Sequence, residues 1–281
     1  MTTENRTNIT FIGAGNMARS LIAGLIDDGA SVDITVADPS EEQLDIIRGQ
    51  WPACITTTDN AQAVSQADLV VLAVKPQIMQ MVCEALASDI QERKPLIMSI
   101  AAGVSESSLN TWLGGLLPIV RCMPNTPALV QSGMSGLYAN TRVDEEQRSL
   151  AESVMRAVGM VLWFDDEDML HAVTAVSGSG PAYFFLVMEA MQRSAEGFGL
   201  SEEEARLLVV QTAFGAAKLA LESNDSSAEL RKKVTSKGGT TEAAINQLQA
   251  SGLENTFDLA LKAAAQRSIV LSGNKPAIEK S

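Results

Sequence analysis

The segment FIGAGNMA, from Phe11 to Ala18, carries the glycine spacing of a nucleotide-binding turn. Gly13, Gly15 and Ala18 form a Gly-x-Gly-x-x-Ala pattern that follows a strand-like apolar run and opens a helical one. The first glycine permits a tight turn, the second lets a pyrophosphate approach the backbone, and the alanine keeps helix and strand close. The helix N-terminus stabilises the phosphate charge. The pattern predicts a dinucleotide site, and its structural alternative is a plain glycine-rich turn.

Two charged residues follow later strand-like runs. Asp38 ends the second run, where a carboxylate usually binds the ribose 2′-hydroxyl of NAD and repels the 2′-phosphate of NADP. Asp38-Pro39-Ser40 is equally typical of a turn with a helix cap, so both interpretations stay open. Lys75 follows the apolar run Leu69–Val74, at the sheet edge where ligands bind, and is predicted to lie at the cofactor rim. Its alternative is a solvated lysine at a strand end.

The segment VTSKGGTT, from Val234 to Thr241, is the second candidate site. It lies between two helical patterns, and its end forms a helix N-terminus followed by Glu242. Free N–H groups there can hold a substrate carboxylate, and the hydroxyl groups can bind its polar atoms. On spacing alone, an elaborate N-cap with a glycine-rich turn explains the segment as well.

The residue counts exclude several kinds of chemistry. His171 is the single histidine, so neither an HExxH zinc site nor a three-histidine metal centre is possible. Cys54, Cys83 and Cys122 lie far apart and form no CxxC pair, which excludes a four-cysteine zinc or iron–sulfur site. We therefore expect no metal site. His171 lies on an apolar helical pattern and is interpreted as a hydrogen-bonded structural histidine, with a general acid as the alternative.

The elements that must position these residues divide the chain of 281 residues in two. The first part alternates apolar strand-like runs with helical patterns, which predicts a doubly wound parallel sheet. Its predicted strands are Asn8–Ile12, Asp33–Ala37, Leu69–Val74, Leu96–Ile100, Ile119–Met123, Gly136–Ala139 and Met160–Phe164. After Phe164 the patterns are helical throughout. The predicted helix from Pro181 towards Gly197 is apolar nearly all round, so a partner subunit is expected to cover it.

Composition bears on partners and location. The net charge of −13 argues against nucleic acid or an anionic membrane as partner. The polar residues 1–8 lack the apolar stretch of a signal peptide. The longest purely apolar runs, Leu69–Val74 and Ala182–Met188, are too short to span a bilayer. We expect a cytoplasmic protein with reduced thiols.

These segments together resemble the pyrroline-5-carboxylate reductase family, over nearly the whole chain. The most specific likenesses are VTSKGGTTEAAI from Val234 to Ile245 and VTAVSGSGPAY from Val173 to Tyr183. The resemblance implies an α/β fold, with an N-terminal Rossmann domain over residues 1–164. An all-helical substrate-binding and dimerisation domain is implied over residues 165–281. It also implies reduction of L-1-pyrroline-5-carboxylate to L-proline by NADPH or NADH, the last step of proline biosynthesis, in a homo-oligomer.

The resemblance carries site residues onto this chain one by one. The expected nucleotide contacts are Ile12, Gly13, Ala14, Gly15, Asn16, Met17, Asp38, Asn60, Ala73, Val74, Lys75, Pro76, Ile100, Ala101 and Ala102. The expected contacts to the substrate carboxylate and ring nitrogen are Ser236, Gly238, Gly239, Thr240 and Thr241, with Thr241 on the nitrogen as catalytic residue. Two positions depart from the family pattern. Asp38 replaces a small polar residue, which puts the common NADPH preference in doubt, and Lys237 replaces a proline.

Two alternatives remain at this point. A β-hydroxyacid dehydrogenase shares the two-domain plan but uses a lysine on the first long helix of its second domain. No lysine occurs between Lys94 and Lys218. A dinucleotide sensor without turnover is the other alternative, and it would not need the Ser236–Thr241 loop.

Overall fold

The computed structural model describes residues 6–273, so residues 1–5 and the polar tail from position 274 lie outside the described residues. By their internal contacts the residues form two compact units. The first contains the chain up to Ser179 together with residues from Ala264 onward, and the second contains Gly180–Ala263. The last strand ends at Phe164, next to the predicted domain boundary. The first unit nevertheless continues for 15 more residues, 165–179, because the helical turns after this strand pack on the sheet.

One sheet organises the first unit. Its strands, in the described chain, are β1 (Thr7–Ile12), β2 (Val32–Ala37), β3 (Ile55–Thr57), β4 (Leu69–Leu72), β5 (Leu96–Ser99), β6 (Ile119–Met123), β7 (Gly133–Ala139) and β8 (Gly159–Phe164). The spatial order is β3-β2-β1-β4-β5-β6-β7-β8. The first six follow the doubly wound order 3-2-1-4-5-6, so the predicted Rossmann fold is confirmed.

The sheet differs from the prediction at two places. Strand β7 runs antiparallel to β6, and β8 is parallel to β7, so the sheet is mixed rather than fully parallel. The reason is the β6–β7 connection, which holds only a short 3₁₀ turn, Thr126–Val130, instead of a crossover helix. Strand β3 was not predicted, because three residues with an exposed Ile55 give no apolar run.

Helices cover both faces of the β1–β6 part, and two more pack against β8 and β7. Those of the β1–β6 part are α1 (Asn16–Asp27), α2 (Glu41–Gln50), α3 (Asn60–Val64), α4 (Pro76–Arg93) and α5 (Glu106–Trp112). The two others are α6 (Glu145–Arg156), against β8, and α7 (Met169–Val173), against β7. Buried side chains of α1, α2 and α6 form one core cluster with the sheet. Those of α3, α4 and α5 form a second cluster. This two-sided burial explains why β4 reads as a continuous apolar run.

The second unit is helical throughout the described residues, as predicted. A π-helical turn, Thr174–Gly178, precedes α8 (Gly180–Gly197), and the chain continues through α9 (Glu202–Glu222), α10 (Ser227–Lys233), α11 (Thr240–Ala250) and α12 (Leu253–Leu271). Helices α8 and α9 pack against each other. Their outer apolar residues stay exposed, however, and 67% of the surface of Phe184 is accessible to solvent. A single chain therefore does not cover α8, as the sequence predicted.

The helical stretch Met169–Gly197 joins α7, the π turn and α8 in 29 residues. By length and composition it could cross a membrane. The sequence prediction considered only uninterrupted apolar runs, which are shorter than this helical stretch. Exposed aromatic residues on such a helix fit a subunit interface equally well.

Candidate active site

The carboxyl edge of the sheet at β1 and β4 is the centre of the candidate site. These two strands are neighbours, and the connections that leave them go to opposite sides. Ligands of doubly wound sheets bind in the crevice at this topological switch point. The Gly13–Gly15 turn follows β1, and Ala73–Pro76 follow β4. The predicted segments are thus brought together at the place where the fold binds nucleotides.

Two glycines shape the turn for a close ligand. Gly13 has φ +104°, and a Cβ atom there would lie 2.8 Å from the carbonyl oxygen of Ala73. Gly15 begins α1 without a side-chain cap, and a Cβ atom there would meet no heavy atom within 4 Å. The N–H groups of the first turn of α1, at Asn16 and Met17, face no intrahelical acceptor. The open space over Gly15 and these free donors fit a pyrophosphate.

Asp38 lies beside this turn and binds its backbone. The amide of Ala14 donates to one carboxylate oxygen at 2.8 Å, and the amide of Ser40 donates to the other at 2.9 Å. The turn expected as the structural alternative is therefore present, but Ser40, the N-cap residue of α2, makes no side-chain capping hydrogen bond. The bond to Ala14 also places the carboxylate next to the glycine turn, where a ribose hydroxyl would lie. The geometry of Asp38 is therefore compatible with both interpretations, a structural turn and a contact to the ribose.

The remaining predicted nucleotide contacts lie at the same sheet edge. Lys75 is exposed and precedes Pro76, the first residue of α4. Asn60 begins α3, which follows β3. The Ile100–Ala102 segment follows β5, and the amide of Ile100 donates to the carbonyl of Leu72 at 3.2 Å. Parallel strands bring all these termini to one edge, which is why widely spaced residues can share a nucleotide.

The Ser236–Thr241 loop lies in the second unit and forms the N-terminus of α11. Gly238 has φ +74°, and Gly239 is the N-cap residue without a side-chain hydrogen bond. A Cβ atom on Gly239 would lie 2.7 Å from the hydroxyl oxygen of Ser236, so a side chain here would displace that hydroxyl. By contrast, α6, α9 and α10 each begin with a complete capping box. The N-cap alternative is therefore weakened: the N-cap residue Gly239 has no side-chain cap, and the Glu242 side chain binds only the amide before it, that of Gly238.

The donors of this loop can be assigned individually. The amide of Gly238 donates to the Glu242 carboxylate at 2.7 Å, and that of Gly239 donates to the carbonyl of Ser236 at 3.1 Å. The amides of Thr240 and Thr241, at the first two helical positions, keep no intrahelical acceptor. Thr241 is exposed, so its hydroxyl is accessible. The loop offers two free N–H groups and adjacent hydroxyls, which suits a small carboxylate with a second polar atom.

One contact near the end of β6 was missed by the sequence analysis. The Asn125 amide group donates to the carbonyl of Ser177 at 3.1 Å, and its oxygen accepts from the amide of Met134 at 2.9 Å. A Cβ atom on Gly178 would lie 2.5 Å from the end of the Met123 side chain. Asn125 and Gly178 thus hold the Ser177 turn against the sheet edge. The sequence signal was the Gly-x-Gly pattern at 178–180, but nothing there named its partner.

His171 occupies a buried polar cluster on α7. Its Nδ1 atom lies 2.9 Å from the hydroxyl of Ser268 on α12. Close by, a guanidinium nitrogen of Arg121 lies 2.7 Å from the Glu167 carboxylate, in an ion pair whose arginine is almost fully buried. Burial, assisted by the Arg121 charge, lowers the pKa of His171. The structural interpretation of His171 agrees with this geometry, whereas the Arg121–Glu167 pair was not predicted.

The cysteines offer no nucleophile at neutral pH. Burial raises the pKa of the Cys54 thiol, raises that of Cys83 to about 12, and raises that of Cys122 further still. All three are free thiols. Within residues 6–273, no group of three or more histidine, cysteine or acidic side chains could hold a metal ion. Each unit instead offers a helix N-terminus that fits an anionic ligand, α1 in the first and α11 in the second.

Comparisons with known proteins identify both units. The family described as pyrroline-5-carboxylate reductase dimerisation matches residues 167–271, and that described as NADP oxidoreductase, coenzyme F420-dependent, matches residues 8–103. A pyrroline-5-carboxylate reductase of Pseudomonas aeruginosa is 54% identical over 265 residues, which cover 94% of this chain and 96% of the relative.

Solved structures agree with this assignment. A pyrroline-5-carboxylate reductase from Coxiella burnetii matches with a TM-score of 0.91 and 49% identity, covering 95% of this chain and 99% of the other. The pyrroline carboxylate reductase of Plasmodium falciparum, solved with NADP bound, matches with a TM-score of 0.83 and 26% identity, covering 96% and 99%. Neither earlier alternative, the β-hydroxyacid dehydrogenase or the sensor, is supported. The chain belongs to the pyrroline-5-carboxylate reductase family and is an NAD(P)H-dependent oxidoreductase.

Proposed function

We propose that this chain reduces L-1-pyrroline-5-carboxylate to L-proline with NAD(P)H, the last step of proline biosynthesis. The observation that carries the proposal is the uncapped N-terminus of α11, with free amides at Thr240 and Thr241 beside their hydroxyls. The glycine turn at Gly13–Gly15 binds the first ligand, the nucleotide. The loop at α11 offers an anion-binding site for the second ligand, the substrate. The relatives named above supply the substrate class.

The first unit binds the nucleotide in this proposal. The free amides of α1 hold the pyrophosphate, and the Lys75 ammonium lies at the same edge as a counter-charge. Ile100–Ala102 and Ala73–Val74 offer small or apolar surfaces on which a flat ring can rest. When bound, the nicotinamide supplies the hydride, so the chain itself needs neither a nucleophile nor a metal.

The loop of the second unit binds the substrate. The amides of Thr240 and Thr241 hold its carboxylate, with Ser236, Gly238 and Gly239 fixing the shape of the loop. The Thr241 hydroxyl contacts the ring nitrogen, which is protonated so that the C=N bond is polarised. Orientation of the imine supplies most of the acceleration. The Glu242 carboxylate accepts a hydrogen bond from the amide of Gly238, so this amide does not donate to the substrate.

Assembly and location complete the proposal. Residues 1–164 act as the nucleotide domain, and residues 165–281 act in substrate binding and dimerisation. The apolar stretch Met169–Gly197 faces a partner subunit rather than a lipid bilayer, because all of it lies within the dimerisation match. The protein works in the cytoplasm. Its net charge of −13 disfavours nucleic acid as a partner.

Thr241→Ala tests the catalytic contact. Thr241 is the second residue of α11 and not its N-cap, so its loss should change the stability of the fold little. Loss of the nitrogen contact should lower kcat about 100-fold, as for loss of other positioned hydrogen-bonding groups in an active site. The measurement is steady-state oxidation of NADH and NADPH with pyrroline-5-carboxylate, alongside thermal unfolding.

Thr241→Ser is the matched control, since it keeps the hydroxyl and should retain most of the activity. Near-normal turnover in Thr241→Ala would remove the catalytic role from this residue. If the enzyme oxidised NAD(P)H with the keto acid that corresponds to a hydroxy acid, but not with the imine, the substrate assignment itself would be overturned.

A further inference from the structure

A buried arginine on β6 is linked to the start of α5 through one carboxylate. Arg121 is 6% exposed, and a nitrogen of its guanidinium donates to the Glu167 carboxylate at 2.7 Å. The same carboxylate oxygen accepts from the backbone amide of Glu106 at 2.6 Å. Glu106 is the first residue of α5, so its amide has no acceptor within the helix. Glu167 thus joins β6 to the beginning of this helix.

The Arg121–Glu167 pair is a weak source of stability. Taking charges out of water is costly, and their attraction repays this only when the other polar atoms of the pair also find partners. Within residues 6–273, the buried Nε atom of Arg121 has no hydrogen-bond partner. Two apolar side chains of similar volume would hold this part of the fold as well or better. The pair is therefore better explained by what its carboxylate orients than by its contribution to the free energy of unfolding.

The segment that Glu167 orients is the loop of residues 100–105, between β5 and α5. The loop begins where β5 ends, and there the amide of Ile100 donates to the carbonyl of Leu72 on β4 at 3.2 Å. It ends at Ser105, the N-cap residue of α5. Glu106, whose amide donates to Glu167, is the next residue. The loop is therefore held to the sheet at its beginning and to the Glu167 carboxylate directly after its end.

A second contact to the start of α5 does not depend on the pair. The Glu106 carboxylate accepts from the side-chain amide of Asn140 at 2.7 Å, and Asn140 also donates to the carbonyl of Leu117 at 3.0 Å. Asn140 is 7% exposed and follows the last residue of β7. This contact keeps α5 attached when the Arg121–Glu167 pair is removed. Loss of the pair should therefore loosen the loop without detaching the helix.

We propose that Arg121 and Glu167 are positioning residues for the nicotinamide. Arg121 holds the Glu167 carboxylate, the carboxylate holds the amide of Glu106, and this amide sets the 100–105 loop against the ring. The inference rests on the proposed function, in which residues 100–102 support the nicotinamide. Both side chains act through the loop and not by contact with the cofactor. Loss of the pair should therefore affect the nicotinamide end of the cofactor and spare the end that binds at the Gly13–Gly15 turn.

Paired binding measurements with NADH and ADP-ribose test this proposal, because the two ligands differ only in the nicotinamide. Isothermal titration calorimetry on the full chain gives both Kd values and uses no imine, so the result is independent of the proposed substrate. Arg121→Met/Glu167→Met removes both charges and the acceptor for the Glu106 amide. We expect its Kd for NADH to rise at least about tenfold, as for loss of one hydrogen bond to a charged group, and its Kd for ADP-ribose to stay within about twofold. An equal change for both ligands, or an unchanged Kd for NADH, would overturn the proposal.

Arg121→Met/Glu167→Gln is the second variant, and it carries the test if the first variant does not fold. Its glutamine oxygen still accepts from the amide of Glu106, but a neutral acceptor forms a bond about half as strong as that of a carboxylate. The Kd for NADH should therefore rise about threefold, with the Kd for ADP-ribose unchanged. NADH binding as tight as in the wild type would show that the charged pair does not position the ring.

The matched control is Arg93→Met/Asp68→Asn. Asp68 also joins an arginine to a backbone amide, since its carboxylate lies 2.7 Å from the Arg93 guanidinium and accepts from the amide of Asn8 at 2.9 Å. It precedes β4, however, and so lies at the amino edge of the sheet, opposite the nucleotide edge. This variant should leave both Kd values unchanged. If it weakens NADH binding selectively to the same extent, the effect does not come from the 100–105 loop and the proposal is wrong.

Discussion

Asp38 combines a structural and a recognition role in one side chain. Its two oxygens accept from the amides of Ala14 and Ser40, which fixes the glycine turn to the end of β2. A carboxylate has about four acceptor positions, so two remain for a ribose. Nearby, Arg48 is occupied by Glu41 and Asp45 and is not free for a 2′-phosphate. We therefore expect these charges to disfavour NADP relative to NAD.

Asp38→Ser is therefore expected to shift cofactor preference. Removing the carboxylate should raise the ratio of kcat/KM for NADPH over NADH about tenfold, the effect of one lost repulsion of about 1.4 kcal/mol. Steady-state kinetics with both cofactors measures the ratio. The control is Glu42→Ser, which removes an exposed carboxylate on the first turn of α2 and should change the ratio little. An unaltered ratio in Asp38→Ser would assign Asp38 to the turn alone.

At the scale of the elements, α7 and the end of α12 contact each other within the first unit. His171 on α7 lies 2.9 Å from the hydroxyl of Ser268 on α12. Three residues further along, Leu271 packs against Gly103, where a Cβ atom would lie 3.1 Å from the leucine. Gly103 ends the 100–103 loop that is proposed to support the nicotinamide. The last turn of α12 therefore supports, through ordinary packing, the loop that we propose contacts the nucleotide.

This contact predicts a pH dependence of stability. Burial lowers the pKa of His171 in the folded state below the unfolded value of about 6.5. The unfolded chain then binds more protons, so the stability is complete above about pH 6.5 and falls as the pH decreases through the two pKa values. His171→Asn removes the titration and keeps a polar partner for Ser268. When the pH is lowered from 7.5 to 5.5, the decrease in Tm should be about 2 °C smaller for this variant than for the wild type.

Differential scanning fluorimetry at both pH values provides this comparison. Ser268→Ala serves as the control, because it removes the hydrogen bond but leaves the titrating ring in place. It should lower Tm at both pH values and retain the pH dependence. A His171→Asn variant with the same acid sensitivity as the wild type would contradict the assignment.

The elements also show which features the sequence could predict. The Gly13–Ala18 turn and the buried run at β4 are local, so residue type and spacing identify them. The reversal of β7, the Gly136 contact with Val173 and the Arg121–Glu167 pair join residues that are far apart in the sequence. No local pattern encodes such partners. The loop at α11 was intermediate, since its glycines were visible but its lack of a cap was not.

At the scale of the whole molecule, stability should depend on assembly. The exposed faces of α8 and α9 and the exposed residues of β8 are apolar surfaces that one chain leaves uncovered. If two copies cover them, unfolding is coupled to dissociation and Tm rises with protein concentration. A tenfold dilution costs about 1.4 kcal/mol per dimer. With about 2.1 cal/mol/K of unfolding entropy per residue, that lowers Tm by about 1 °C.

Scanning calorimetry over about a hundredfold concentration range should therefore show a decrease of about 2 °C from the highest to the lowest concentration. Each copy carries a net charge of −13, so added salt screens the repulsion between copies and should raise Tm most in the dilute samples. A chain that unfolds as an independent monomer would give one Tm at all concentrations. In that case the apolar helices would be covered in some other way, and the substrate loop on α11 would not depend on a partner subunit for its stability.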